Sequence, residues 1–216
     1  MTVLANARIV LPNAIVDGAI ILDGDTIQAV ERGRTIGDVD CGGDYLLPGL
    51  IDLHTDAIEK HYQPRPGVRW DPAAAAIAHD AQIATSGITT VFDALPFGTS
   101  YRNIERAESL APLLEGLETA RKAGALRVDH FLHARCEVTD PDTITLLEPY
   151  LGDPRLRFVS LMDHAPGQRQ SPDIAIYRTR HMATMNLSEA EMDEHITTIL
   201  RRSAELAPGI RARLVA

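Results

Sequence analysis

Residues 72–93 read PAAAAIAHDAQIATSGITTVFD, and they decide the fold class. Pro72 to Ser86 is Ala-rich and stops at Gly87, the pattern of a helix closed by a C-terminal glycine. Ile88 to Phe92 is short and β-branched, a buried strand that ends at Asp93. The same unit recurs on either side. Upstream, Leu46 to His54 (LLPGLIDLH) is an apolar run ending at polar residues. Downstream come a long helix over 103–123 closed by Gly124, a strand over Leu126–Leu132 that runs into His133 to Glu137, a helix over Asp140–Tyr150, and a strand over Arg157–Met162 that ends at Asp163-His164. Strands that alternate with helices imply a parallel sheet with crossover helices. In such sheets, and in (β/α)8 barrels, function collects at the C-terminal strand ends. A polar loop follows His164, then a helix over Ser188–Leu206 opened by the capping-box pattern Ser188-Glu189-Ala190-Glu191.

Residues 1–46 follow a different grammar. Thr2 to Val10, Gly18 to Leu22 and Thr26 to Glu31 read as strands, with a hairpin signal at Asp23-Gly24-Asp25. About 45 residues of hairpins cannot build a large core alone, so this is expected to be a small incomplete sandwich beside a second domain over 47–216. The fold class is therefore α/β: part of a (β/α)8 TIM-like barrel, about its first four strands, with a small N-terminal β-sandwich unit.

The chain has 216 residues, 45% hydrophobic and 24% charged, which excludes disordered and collagen-like classes. Its net charge of −9 argues against nucleic acid or an anionic membrane as the main partner, but leaves room for a local basic pocket. Cys41 and Cys136 lie far apart and form no disulfide framework. The N-terminus lacks a basic, apolar signal pattern, and no run of about 18 apolar residues is present. A cytoplasmic location is expected.

All eight histidines fall between positions 54 and 195, and His54, His133 and His164 sit at or just past strand ends, where Asp56, Asp93, Glu137 and Asp163 also lie. Converging imidazoles and carboxylates suit a divalent metal, Zn²⁺ or Mn²⁺. His54 and Asp56 are two apart, so an extended strand points both to one face; a hydrogen-bonded capping pair is the other reading. Glu137 could bridge metals, act as a base, or be a solvated loop charge. His164 is open to ligation, phosphate binding or capping. His130 and His133 face opposite sides of their strand, and His130 reads as a core histidine. Lys60, His61, Arg65, Arg69, Arg135, Gln168 and Arg169 gather near the same strand ends. Their cations suit a phosphorylated substrate, with ordinary surface charge as the alternative. No P-loop, dinucleotide fingerprint or nucleophile elbow is present.

The stretch Leu47 to His54 resembles the lead-in to the first barrel strand of the amidohydrolase superfamily. The segments His54–His61, Pro64–Trp70, Asp129–Glu137 and Ser160–Gln170 together resemble the phosphonate-metabolism protein M family over essentially the whole chain. The resemblance implies a metal-dependent hydrolase of the carbon–phosphorus lyase pathway, a diphosphatase that removes pyrophosphate from alpha-D-ribose 1-methylphosphonate 5-triphosphate. It makes His54, Asp56, Glu137 and His164 the metal ligands, with Glu137 also the catalytic candidate. Lys60, Arg65, Arg69, Arg135, Gln168 and Arg169 become substrate contacts.

The first-strand pair here is HxD rather than the superfamily's usual HxH, and the family's later histidine–aspartate motif and final-strand aspartate are absent. The chain thus reads as an N-terminal fragment, expected to be unstable or to associate, as a homodimer or with a complementing C-terminal half. Two other functions fit the residues: an amidohydrolase acting on a carbon–nitrogen bond, or a non-catalytic subunit of a phosphonate-degrading complex.

Overall fold

The computed structural model describes residues 1–99, 108–168 and 171–215. The chain divides into two compact units, Met1–Leu50 and Ile51–Ala216.

The first unit is one mixed sheet. Strands β1 (Thr2–Leu11), β2 (Ala14–Asp23) and β3 (Thr26–Arg32) pair antiparallel in sequence, and the short strands β4 (Val39–Asp40) and β5 (Tyr45–Leu46) both run parallel to β1. Its small core of Ala7, Ile9 and Ile20 comes from β1 and β2, with Leu11, Leu22, Cys41 and Leu46 packed against it. Forty-odd residues offer too little apolar surface for more.

The second unit is a curled parallel sheet, half of a barrel, in the order β6 (Leu50–Thr55), β7 (Ile88–Phe97), β8 (Asp129–Glu137) and β9 (Leu156–Met162). Helices α1 (Ala57–Tyr62), α2 (Pro72–Thr85) and α3 (Leu110–Lys122) connect the earlier strands; α4 (Thr143–Leu147) and a 3₁₀ turn over Glu148–Tyr150 lead to β9. The strands outrun the sequence expectation. β7 continues five residues past Phe92 and β8 five past Leu132, because the polar residues there find partners and stay in the ladder from Thr90–Asp129 to Phe97–Cys136. The expected helix over 103–123 is seen as α3; residues 100–107 lie outside the described residues. The supposed polar loop after His164 contains α5 (Ile174–Met185), started by Asp173, whose carboxylate accepts from the Ala175 and Ile176 amides, and ended by Asn186 at φ 52°. The last helix, α6 (Glu189–Val215), carries the capping box as read: Ser188 Oγ accepts from Glu191 N at 3.3 Å, and Glu191 accepts from Ser188 N at 2.9 Å.

The two-residue strand period sorts the sheet's faces. Leu95, Phe97, Leu132, Ala134 and Cys136 face the helices and pack with Ile58, Ala75, Ala76, Leu113 and Leu117 into the main core. The opposite, inner face carries Phe92, Ala94, Phe131, His133, Arg135 and Glu137, joined by Phe158 through ring contacts to Phe92 and His133.

α2 and α3 cross closely. Asp71 caps α2 by accepting from Ala74 N at 2.8 Å, and Gly116 of α3 lies against Pro72, so that a β-carbon at position 116 would stand 2.4 Å from the Pro72 carbonyl oxygen. Helix propensity alone would make Gly116→Ala stabilising by about 1 kcal/mol. The backbone contact reverses the sign, and we expect the substitution to lower stability by about 1–3 kcal/mol. Thermal unfolding followed by circular dichroism decides between them: a lower Tm supports the tight crossing, and a raised one refutes it.

Candidate functional site

The C-terminal ends of β8 and β9 hold a buried carboxylate. Glu137, only 1% exposed, ends β8. Its Oε1 accepts the Thr139 hydroxyl at 2.7 Å and the Thr139 amide at 3.3 Å, and its Oε2 meets His164 Nδ1, just past β9. Its main-chain carbonyl accepts the Thr143 hydroxyl at 2.6 Å. Next to His164, the Asp163 carboxylate accepts from Arg211 at 2.8 Å and Ser203 at 3.3 Å, both on α6, and from Ala165 N. That anchoring fixes the backbone from which His164 projects.

α5 brings side chains that the sequence reading left in a loop. Tyr177 is buried, and its hydroxyl lies 2.9 Å from His195 Nε2 of α6. Burial, helped by the negative charge of Glu137, pushes the Tyr177 phenol up to about 12. His181 rests against the Tyr177 ring, 4.2 Å between centroids, and burial followed by the charges of Arg180 and His164 holds its pKa below the usual value. Asp173 and Asn186, a helix start and a helix stop, were the signals that could have found this helix.

His54 and Asp56 lie toward the other side of the same face. Arg135, 7% exposed, points its Nη1 at Asp56 Oδ2, 3.3 Å away, and its Nε at Met162 Sδ. The His54 ring stands at 87° to the His133 ring with 4.8 Å between centroids. His133 Nδ1 lies 3.1 Å from the Leu53 carbonyl oxygen, so it carries the ring proton, and burial lowers its pKa.

The expected ligands thus fall into two contacts, Glu137 with His164, and Asp56 and His54 with Arg135 and His133. Of the expected substrate contacts, only Arg135 is buried among them. Lys60, Arg65 and Gln168 are exposed; Arg69 is paired with Glu108 at 2.7 Å; Arg169 lies outside the described residues. Mixed imidazole and carboxylate donors fit a divalent ion of the Zn²⁺ or Mn²⁺ type. So does a buried imidazole nitrogen, His133 Nε2, that has no partner among the described residues.

Among the described residues, one group of three brings potential metal donors within 4.8 Å of one another: His79, Asp93 and His130. Asp93 had been expected at a strand end. It sits inside the longer β7, and the strand period turns it toward α2. There its two oxygens accept from His79 Nε2 at 2.9 Å and His130 Nδ1 at 2.7 Å. His130 Nε2 in turn donates to Asp80 Oδ1 at 3.2 Å, which also accepts from Arg127 N and Val128 N at 2.9 Å each. These bonds occupy both His130 nitrogens, making it the core histidine of the sequence reading and an imidazolium between two carboxylates.

No protein-family model matches the chain. Over 195 residues, 89% of its length, it is 37% identical to the alpha-D-ribose 1-methylphosphonate 5-triphosphate diphosphatase of Escherichia coli (strain K12). The match agrees with the resemblance to the phosphonate-metabolism protein M family read from the sequence. It spans about half the length of that relative, 52%. Solved structures resemble it more loosely. They include an L-hydantoinase from Arthrobacter aurescens (15% identity, TM-score 0.48, covering 95% of this chain and 51% of that one). An N-acetyl-D-glucosamine-6-phosphate deacetylase from Mycobacterium smegmatis gives 18% identity and a TM-score of 0.49, covering 77% of this chain and 49% of that one. No helix among the described residues is long and apolar enough to cross a membrane.

The His130 network makes stability depend on pH. Burial opposes the His130 charge, but the Asp93 bond, with Asp80 adding to it, raises its pKa above the usual 6.5. This contribution is complete below pH 6.5 and is lost as pH rises through the raised value. Burial likewise opposes the charge on Asp93, and the bonds from His130 and His79 outweigh it and lower its pKa below 3.8. That share is present above pH 3.8 and is lost as pH falls through the lowered value. Urea unfolding between pH 6 and 9 should show stability declining with rising pH, and His130→Gln should flatten that decline. An unchanged slope in the variant would contradict the imidazolium.

Proposed function

We propose that this chain provides the metal- and phosphate-binding part of a hydrolase that removes pyrophosphate from alpha-D-ribose 1-methylphosphonate 5-triphosphate, in the cytoplasm, as a step of phosphonate catabolism. The observation that carries this reading is the 37% identity to a diphosphatase named for that substrate, over a stretch that includes the buried Glu137 and its partner His164. A buried carboxylate paired with a half-buried imidazole at the ends of adjacent barrel strands suits hydrolysis.

His54, Asp56, Glu137 and His164 would hold the divalent metal, with Asp56 exchanging its Arg135 contact for the ion. When bound, the metal supplies Lewis acidity at phosphoryl oxygens and a water acidified for attack. The chain's own residues orient the substrate. Arg135 offers a planar guanidinium to anionic phosphate oxygens, and its shielding from solvent strengthens that contact. Lys60 and Arg65, exposed and cationic, would meet the outer phosphates, and Thr139 keeps the Glu137 carboxylate aimed while the anion binds. The cations favour a phosphoric anhydride over a neutral cyclic amide. A second copy of the chain is the expected partner.

The test is pyrophosphate release from the ribose 5-triphosphate phosphonate by metal-loaded protein, with a hydantoin as control. We expect release of pyrophosphate, leaving the 5-phosphate, and a loss of about 100-fold or more in kcat/KM for Glu137→Gln. Hydantoin opening without pyrophosphate release, or Glu137→Gln activity equal to wild type, would overturn the reading.

A further inference from the structure

We infer that His133 is a further nitrogen ligand of the divalent metal, acting beside His54. The inference rests on the metal site of the preceding proposal and extends it to a residue outside the expected ligand set.

Three observations converge. The first is burial without a partner. His133 is 3% exposed, and its Nε2 has no hydrogen-bond partner among the described residues. A buried polar atom left unpaired costs about 1–3 kcal/mol, so such an atom calls for an explanation. The second is the tautomer. Nδ1 faces the Leu53 carbonyl oxygen at 3.1 Å, and a carbonyl only accepts, so the proton is on Nδ1 and Nε2 presents its lone pair. Metal-bound histidines commonly have this arrangement, one nitrogen on the ion and the other donating to a backbone carbonyl that fixes the ring.

The third is the position of His54. A ring nitrogen about 2.1 Å from Zn²⁺ places the ring centroid about 3.2 Å from the ion. Two imidazoles on one tetrahedral ion then have centroids about 5 Å apart. The His54 and His133 centroids are 4.8 Å apart.

The local fold supports the reach. His133 lies opposite Ala94 in the β7–β8 register, and Ala94 carries only a methyl group on the inner face. The His133 ring therefore extends across β7 as far as the Leu53 carbonyl of β6. Phe158 of β9 closes against the ring at 4.9 Å. In the other buried network, around Asp93, both His130 nitrogens are spent on carboxylates, and His79 Nδ1 is the nitrogen there with no partner among the described residues.

The experiment is zinc titration of the whole chain, with the imidazole ¹⁵N resonances followed by NMR. In parallel, zinc affinity is measured for His133→Phe, which keeps a ring against Phe158 and removes both nitrogens. We expect the His133 Nε2 resonance to shift at stoichiometric Zn²⁺ while its Nδ1 stays protonated. We also expect the variant to bind Zn²⁺ about 10- to 100-fold more weakly. A stoichiometric Zn²⁺ complex of the wild type in which the His133 Nε2 resonance does not move would overturn the inference and leave the metal site standing. If the wild type took up no Zn²⁺, both would fail. The resonance measurement is made on the wild type, so it decides the matter even if the variant does not fold.

Discussion

Keeping the Glu137 carboxylate in a dry position at the end of β8 is the constraint around which the second unit is arranged. A buried carboxylate is costly unless its oxygens are matched by donors. Here Thr139 serves one oxygen and His164 the other, while Thr143 holds the backbone carbonyl of the same residue. Thr143 reaches that carbonyl only because Gly98 makes room. A β-carbon at position 98 would lie 2.1 Å from the Thr143 hydroxyl oxygen, and its φ of 83° already favours glycine. The ends of β7, β8 and β9 are thereby tied to one another.

The same strands do two jobs because their side chains alternate. On β8, His130 turns outward to Asp93 and Asp80, and His133 turns inward to Leu53 and His54. The outer network lies between the sheet and α2, where His79 and Asp80 answer Asp93 and His130. The inner set leaves donors that can still bind something: Glu137 and His164 at one end, His54 and His133 at the other. Both His130 nitrogens of the outer network are used, and the His133 nitrogen left over on the inner face stands beside the His54 ring.

The alternation of strand and helix was readable from residues 72–93 and their neighbours, because apolar strand cores and glycine stops are local signals. The opposite facing of His130 and His133 followed from strand period alone. What the sequence could not place was anything fixed by contacts between distant segments. Asp93 looked like a strand-end carboxylate because the polar residue seemed to close the strand; its partners, His79 and His130, lie 14 and 37 residues away. The pairing of Arg69 with Glu108, 39 residues away, is likewise a contact that local sequence does not show. Tyr177 and His181 were lost because α5 is polar over much of its length, so that only its capping residues mark it.

The central claim is that the inner-face donors, and not the outer network, form the metal centre. It is tested most directly by anomalous diffraction at the zinc edge from crystals of this chain grown with Zn²⁺. The account predicts a peak bounded by inner-face donors among His54, Asp56, His133, Glu137 and His164. A peak enclosed by His79, Asp93 and His130, or none near the inner-face residues, would contradict it.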